Sequence, residues 1–575
     1  MSALRSNPRW HPRALGTVAI LCLGLAWGSF MHSGGWAQSS FYAQEEALAH
    51  GRATIDRHQW QTGDKAWYRH HFYSVKAPGL ALFTLPAYLA LEAAGGKQWA
   101  RDAAAAVAES SWDPWRPDED PPWASYGYSR HRARVVEAQV ANTTPMIWVL
   151  TLVGATLPAV ALLFCVRWVA DRIEPGYGTA AAITLGVATI VMTFASEYFS
   201  HVASATLAFG AFALLFAERR GRERLWLVAL AGLLAGLAVC FEYPVALAGA
   251  VLLCYALARG RRLRRGVAYA LPAALGAAPA LAYNAWSLGS PLRFAYSYAV
   301  SAPGFTGHDY LGLNSAGLFG ITWPRPGGLI ELLMSGRGIL TLTPVLIMGV
   351  AGALALRQRG MRAESLVILG LAAVFLAYNS GYWLPMGGGT PGPRFLTPVM
   401  PFLALGLAPA YRRFRALTLG LAVASGTMMV AGALTYPLVG GTGIKDWAQR
   451  LVFAHLEPTV LTPLGVRDPW VAVLPVVFAL TAAVALAARA TPRAPLGPIR
   501  PALYAVGGWS VASLLMPLAA GDEVSPLRGG YAGIGLVALA AATSAATLLF
   551  ASYSEPAEAE PSVLLEPLPA GERSS

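Results

Sequence analysis

Apolar runs of about twenty residues, separated by short polar stretches, recur along the whole chain. A run of that length crosses the hydrocarbon core of a bilayer as one α-helix. The pattern therefore predicts an all-α polytopic membrane protein with about 13–14 transmembrane helices. The expected spans are 14–32, 146–166, 177–195, 202–217, 225–241, 243–258, 267–286, 338–356, 365–380, 396–410, 416–436, 471–488, 501–519 and 531–552.

One apolar segment, residues 77–94, differs from these runs because Pro78 and Pro86 interrupt it. A proline-broken backbone is tolerated at membrane depth only where it packs against protein or lines a cavity. We therefore expect a re-entrant or interfacial segment here instead of a complete crossing.

Clusters of arginine occupy the short connections between apolar runs, and with the expected crossings all of them fall on one side of the membrane. Because cytoplasmic loops carry an excess of Lys and Arg, this pattern predicts a multi-pass protein of the cytoplasmic (inner) membrane with both termini in the cytoplasm. The clusters lie at 218–224, 259–265, 357–362, 411–415 and 489–500. The long polar loops, which then face outward, are 33–145, 287–337, 381–395 and 437–470.

Three regions follow from this topology. Residues 1–436, with the outer loops 33–145 and 287–337, form the expected main transmembrane module. Residues 437–552 add a further outer loop and the last transmembrane helices. The tail 553–575 is rich in Pro and Glu and is expected to be disordered and cytoplasmic.

Composition limits the class of protein further. The chain is 55% hydrophobic and only 13% charged, whereas soluble domains carry about 25% charged residues. Its formal charge of +12 is concentrated in the short connecting loops, which argues against a nucleic-acid partner. The 4 cysteines lie in apolar segments, and the histidines of the outer loops lack metal-ligand spacing, so we expect neither a metal nor a cofactor.

Three cations stand where outer loops meet the membrane: Lys76, Arg337 and Arg394. Arginine offers a planar fork to phosphate oxygens, and lysine offers a compact charge. A cation at membrane depth is costly unless it meets an anion. Membrane lipids themselves can supply such an anion, but the glycine- and proline-rich loops around these cations favour a dedicated lipid-phosphate site.

These residues resemble motifs of the integral-membrane glycosyltransferases of the GT-C fold, in particular the bacterial protein-mannosyltransferase-like and aminoarabinose-lipid A transferase-like branch. The stretch Tyr73-Ser-Val-Lys-Ala-Pro-Gly79 is similar to a Tyr-x-x-Lys-Pro-Pro-like segment of that family, with Lys76 in the place of its lysine. The run Gly392–Phe402, Gly-Pro-Arg-Phe-Leu-x-Pro-x-x-Pro-Phe, is similar to segments of its bacterial members.

The resemblance implies transfer of a sugar from a polyprenyl-phosphate donor to an acceptor hydroxyl on the outer face of the cytoplasmic membrane. The acceptor would be a lipid, a glycan or a protein. Lys76, Arg394 and Arg337 would stabilise the departing phosphate, and a carboxylate would take the acceptor's proton.

The chain departs from the family at the expected acid. Family members carry the motif Asp-Glu-x-x-Tyr-Ala, and alignment of its Tyr-Ala with Tyr42-Ala43 places Gln38 and Ser39 at the positions of the two acids. Three replacements remain open: Asp56 or Asp64 from the same loop, Glu197 at a span end, and Glu45 or Glu46 further along the segment. Gln38, Tyr42, His201 and His308 are accessory candidates, with Glu197 and His201 one helical turn apart if the helix continues through them.

Two other functions use the same cations. A non-catalytic transporter or flippase of lipid-linked sugars would need the phosphate site but no base, which the missing acid favours. A polymerase or ligase would move a whole lipid-linked glycan. Against a transporter, we find no internal repeat and no matching pair of broken helices in the two halves.

Overall fold

The computed structural model describes residues 11–32, 34–109, 130–300, 317, 319–439, 443–519 and 531–554, and these residues are mostly α-helical. The helices are α1 Pro12–Ser29, α2 Trp36–Ala49, α3 Gly79–Ala93, α4 Gly96–Ala108, α5 Arg130–Thr151, α6 Leu157–Ile173, α7 Gly178–Val187, α8 Val191–Phe194, α9 His201–Arg220, α10 Leu225–Phe241, α11 Ala246–Leu257, α12 Arg262–Leu288, α13 Pro326–Met334, α14 Ile339–Leu342, α15 Leu346–Gln358, α16 Arg362–Gly381, α17 Met400–Arg413, α18 Arg415–Thr435, α19 Ile444–Val452, α20 Pro469–Ala490, α21 Ile499–Ala519 and α22 Tyr531–Ser554. The strands are β1 Lys65–Tyr68, β2 His71–Ser74 and β3 Ala299–Val300.

Within the described ranges, 8 helices are long and apolar enough to cross a membrane, or up to 10 if each of two bent helix pairs is one span. Three more apolar helices are shorter, at Gly178–Val187, Leu225–Phe241 and Tyr243–Leu257. These helices make the chain a polytopic helical protein of the kind that hydropathy predicts. The expected count of 13–14 spans remains a prediction.

Several helix boundaries differ from the expected spans. One helix extends over 43 residues, His131–Ile173, and so begins well before residue 146; a π-helical turn at Leu152–Thr156 joins α5 to α6. Its first half is polar, which hydropathy alone assigns to a loop. The expected span 338–356 is divided between Pro326–Leu342 and Leu346–Gln358, which are bent by 89°.

The proline-interrupted segment 77–94 also forms a bent pair. Helix α3 continues through Pro86, and then an 84° bend leads into α4. The start of α3 packs closely on the end of α10, because a Cβ added at Gly79 would lie 2.5 Å from the carbonyl carbon of Cys240. Only glycine allows this approach, and it fixes the chain that carries Lys76.

A three-stranded antiparallel sheet, in the order β2-β1-β3, joins two distant loops. In the hairpin, Lys65 lies opposite Ser74 and Tyr68 lies opposite His71. Its turn residues, Arg69 and His70, both have positive φ, as the tight turns of hairpins require. Because β1 also pairs with β3, the sheet holds the loop after α12 against the loop after α2.

Arginines from separate connections meet at one end of the bundle. Glu218, at the end of α9, accepts hydrogen bonds from Arg265 at 2.9 Å and forms an ion pair with Arg259 at 2.9 Å. Glu174 pairs in the same way with Arg359 and Arg412. Helix α9 begins at residue 201, about 26 Å from Glu218 along the helix axis, so the first turn of α9 lies far from these ion pairs.

Candidate functional site

A cavity lies beside the first turn of α9, with an empty volume of about 430 Å³ that includes space open to solvent. Its walls come from α2, the residues before α3, the start of α9, the end of α10, the loop after α12 and the loop before α17. The lining residues are Phe41, Lys76, Ala77, Phe199, Ser200, His201, Phe241, Glu242, Tyr243, Pro244, Tyr296, Arg394 and Phe395.

Lys76 reaches this cavity because it stands between β2 and α3, on the segment that Gly79 fixes. Its side chain is 9% exposed, and its ammonium lies 2.5 Å from a carboxylate oxygen of Asp64. Ser40 supports this loop from α2, since its hydroxyl donates to the carbonyl of Asp64 at 2.6 Å and lies 2.8 Å from the hydroxyl of Ser74. Asp64, one of the possible bases in the sequence, therefore lies beside the lysine of the cavity.

Opposite charges determine the ionisation of this pair. Burial alone would raise the pKa of Asp64, but Lys76 and Arg394 lower it below the usual value. Burial lowers the pKa of Lys76, and Asp64 offsets part of that effect. Asp64 is consequently a carboxylate at neutral pH, and its closest cation is the lysine of the cavity.

Arg394 enters the cavity from the glycine-rich loop before α17, at the start of the 3₁₀ helix Arg394–Val399. Gly387 has φ of +84°, and a Cβ added there would lie 2.5 Å from Nε of Arg394. The guanidinium lies 5.0 Å from the ring of Phe395 and 5.9 Å from that of Phe199. Its Nε is buried without a hydrogen-bond partner, so the head group retains donor capacity.

A carboxylate that sequence reasoning missed, Glu242, also lines this cavity. It forms an ion pair with His201 and accepts hydrogen bonds from Ser200 at 3.0 Å and Ser204 at 3.3 Å. Its signal was present in the sequence, because Glu242 stands alone between two apolar runs, where an ionisable residue is expensive and needs a function or a partner.

Glu197 belongs to a second, smaller cavity. Residues 196–200 are not helical, so Glu197 does not stack one turn before His201. Its carboxylate accepts a 2.5 Å hydrogen bond from the amide nitrogen of Gln38, and it shares this cavity of about 230 Å³ of empty volume with His32. Burial raises the pKa of Glu197 to about 7. The charge of His32 opposes this shift, and the charge of Glu457 adds to it.

Two other predicted residues have local structural partners. The guanidinium of Arg337 donates to the carbonyl oxygens of Gly388 at 2.7 Å and Val439 at 3.1 Å, and Arg337 does not line the cavity of Lys76 and Arg394. Asp56 accepts from the backbone N–H of Phe72 at 2.7 Å, which secures the hairpin.

The remaining candidates lie on or near α2. Gln38 caps that helix by accepting from the N–H of Gly35 at 3.1 Å. Tyr42 is buried, and its hydroxyl lies 3.6 Å from the sulfur of Met146. Glu45 accepts from Tyr198 at 2.8 Å, Glu46 is ion-paired with His58, and His308 lies outside the described residues.

No group of three or more His, Cys, Asp or Glu side chains suited to a metal ion occurs in the part of the chain that the structure describes. Comparison of the chain with known protein families, curated proteins and solved structures finds no match. The functional argument therefore rests on the geometry of the cavity.

Proposed function

We propose that this protein is a membrane glycosyltransferase, which moves a sugar from a polyprenyl-phosphate donor to an acceptor hydroxyl on the outer face of the cytoplasmic membrane. One observation carries the proposal. Lys76 and Arg394, which are distant in the sequence, line one aromatic-walled cavity with the carboxylate of Asp64 beside the lysine.

The two cations suit the departing phosphate. As the bond between the anomeric carbon and the phosphate oxygen breaks, its electron pair stays on that oxygen, and the phosphate gains a second negative charge. Preorganised donors aimed at a developing charge lower the barrier most where water is excluded. Lys76 is 9% exposed, and Arg394 keeps a buried Nε without a partner, so both can turn toward a phosphate.

Asp64 suits the other half of the reaction. The acceptor oxygen attacks the anomeric carbon from the opposite face, and its proton passes to a carboxylate. In the absence of substrate, Lys76 holds the pKa of Asp64 low. A phosphate that binds Lys76 weakens that ion pair, so the pKa of Asp64 rises and its oxygen becomes a better proton acceptor.

Aromatic side chains complete a surface for the sugar. Phe41, Phe199, Tyr296 and Phe395 all line the cavity, and aromatic faces pack well on the apolar faces of pyranose rings. Tyr296 comes from the loop that β3 ties to β1, so the sheet brings this wall to the cations.

The test uses the full chain in lipid nanodiscs with a panel of radiolabelled short-chain polyprenyl-phosphate sugars. We expect wild type to consume one donor in the presence of membrane acceptors. Lys76→Met and Arg394→Gln should each reduce the rate by at least about 100-fold, and Asp64→Asn should reduce kcat by about 10²–10⁴-fold without weakening donor binding.

Matched controls lie outside the cavity. Lys97→Met removes a lysine that pairs with Glu92 at 2.5 Å, and Asp56→Asn removes the carboxylate of the hairpin; both should retain most of the activity if the protein folds normally. Full activity of both cavity-cation variants would overturn the proposed phosphate site. Donor binding and movement across a vesicle membrane without any transfer, unchanged in Asp64→Asn, would instead identify a transporter.

A further inference from the structure

The pair formed by His201 and Glu242 lines the cavity of Lys76 and Arg394 but has no role in the transfer described above. We propose that His201, held by Glu242, is the general acid that protonates the lipid phosphate as it leaves. This inference rests on the proposed function and names the proton donor of the same site.

The imidazole is held in place but retains one free nitrogen. His201 is 4% exposed, and Nε2 has no hydrogen-bond partner. Its ring stacks on Phe199 at 5.4 Å and meets the edge or face of Phe194 at 4.9 Å and Phe395 at 6.0 Å. A buried nitrogen without a partner, on a ring fixed by three phenyl groups, calls for a partner from outside the protein, which a substrate in the cavity can supply.

Glu242 orients the imidazole in the manner of acid–base pairs in which a carboxylate positions a histidine. The hydroxyls of Ser200 and Ser204 donate hydrogen bonds to the carboxylate of Glu242 and so fix its position. The carboxylate favours the protonated imidazolium, whose Nδ1–H then donates to it while Nε2–H remains available for the substrate.

The charges around His201 make its protonation depend on the substrate. Glu242 forms an ion pair with the imidazole, whereas Lys76 and Arg394 bring positive charge to the same cavity. The N-terminus of α9, where His201 is the first residue, also disfavours a cation. A phosphate bound by Lys76 and Arg394 offsets the positive charge of these two residues, so His201 gains its proton when the donor is in place. Asp64, which is paired with Lys76, already offsets part of that charge.

The proton transfer is balanced. The electron pair of the broken carbon–oxygen bond remains on the phosphate oxygen, and the proton of the imidazolium moves to that phosphate. The product is a singly protonated lipid phosphate and a neutral imidazole; the imidazole regains a proton from solvent, to which Asp64 releases the proton of the acceptor. The second pKa of a phosphate monoester is about 6, close to the usual imidazole pKa of about 6.5, so the two groups are matched for proton transfer.

The experiment compares two donors that differ in the basicity of the leaving phosphate. One is the short-chain polyprenyl-phosphate sugar, and the other is a nitrophenyl phosphodiester of the same sugar, whose aryl phosphate is less basic. His201→Gln keeps an amide in place of the ring but cannot titrate. We expect it to reduce kcat by about 10²–10³-fold with the prenyl donor and much less with the aryl donor, with donor Kd within about threefold.

The pH profile gives a second readout. In wild type, kcat with the prenyl donor should fall on the alkaline side as His201 loses its proton, and His201→Gln should lack this limb. Glu242→Gln should move the limb to lower pH, because the imidazolium loses its anion. If the histidine variant does not fold, the wild-type limb must still be weaker with the aryl donor.

Equal losses with both donors, or an alkaline limb that persists in His201→Gln, would refute the assignment of His201 as the acid. Failure of the proposed function has a different signature, since wild type would then transfer no sugar from any donor. If Lys76→Met and Asp64→Asn abolish transfer while His201→Gln leaves kcat and the pH profile unchanged, only this inference fails.

Discussion

Replacement of Glu197 by Gln tests the electrostatics of the second cavity without any assumption about substrate. Glu197 is 2% exposed, and its pKa is raised from 4.5 to about 7 by burial. The folded protein therefore binds a proton that the unfolded chain has released at the same pH. Stability from this group is complete below pH 4.5 and is lost as the pH rises through about 7.

The size of the effect follows from the shift. Each pKa unit corresponds to about 1.4 kcal/mol, so ionisation of Glu197 costs the folded state about 3 kcal/mol at pH 8. The glutamine variant lacks this cost, and its side-chain oxygen can still accept from Gln38. Relative to wild type, Glu197→Gln should gain about 3 kcal/mol of unfolding free energy between pH 4.5 and pH 8.

The titration of His32 changes the stability difference in the same direction. Burial lowers the pKa of His32, but Glu197 and Glu457 raise it by more, so the net pKa is above 6.5. Removal of Glu197 lowers the pKa of His32. In wild type, protonation of His32 stabilises the folded state at low pH, and this contribution is lost as the pH rises. The variant lacks most of that contribution, so the stability difference between the two proteins changes further in the same direction.

The assay is thermal unfolding in detergent micelles at several pH values from 5 to 8, followed by tryptophan fluorescence. Asp64→Asn serves as the control whose difference from wild type stays constant over this range, because Lys76 and Arg394 outweigh burial and hold the pKa of Asp64 below 3.8, so its contribution is lost only at more acidic pH. A stability difference between Glu197→Gln and wild type that stays constant or shrinks as the pH rises would refute the reasoning. Near-normal transfer by the same variant would separate Glu197 from the proton-accepting role.

Three further outcomes are expected. Glu46→Gln should lower the free energy of unfolding by about 1–3 kcal/mol at pH 7 and leave it unchanged near pH 2. The reason is that His58 outweighs the effect of burial and lowers the pKa of Glu46 to about 2. Unfolding measured as a function of pH checks this. Gly406→Val should prevent the close packing of α17 on α15, since a Cβ there would lie 1.9 Å from the carbonyl oxygen of Gly349, and folded yield should fall sharply. Arg337→Ala should lower the thermal midpoint, because the hydrogen bonds to the carbonyl oxygens of Gly388 and Val439 are lost. In the folded variant, the Kd for the donor should stay within about threefold of wild type. A Kd weakened about tenfold would indicate that Arg337 belongs to the phosphate site.

Hydropathy predicted the helices well where apolar residues fill the whole element. The expected span 225–241 coincides with α10, and 416–436 differs from α18 by one residue at each end. It failed for α5, because residues 130–145 are helical but polar, and for the bend between Leu342 and Leu346, because no hydropathy scale encodes the direction of a chain.

The cavity was partly predictable for a similar reason. Lys76 and Arg394 have distinctive neighbours, proline and glycine, that indicate where each cation meets the membrane. The pairing of His201 with Glu242 instead of Glu197 depends on α9 beginning at His201 and on the packing of α9 against α10. Which of the two acids pairs with the histidine depends on tertiary structure, and it cannot be predicted from the spacing of residues along the chain.

The small sheet has a consequence for how the protein opens. Asp64 immediately precedes β1, Lys76 follows β2 by two residues, and Tyr296 lies three residues before β3. The ladder hydrogen bonds of the three strands must therefore break together before this side of the cavity comes apart. In hydrogen exchange, the interstrand amides of 65–68, 71–74 and 299–300 should exchange as one cooperative unit with a shared opening free energy.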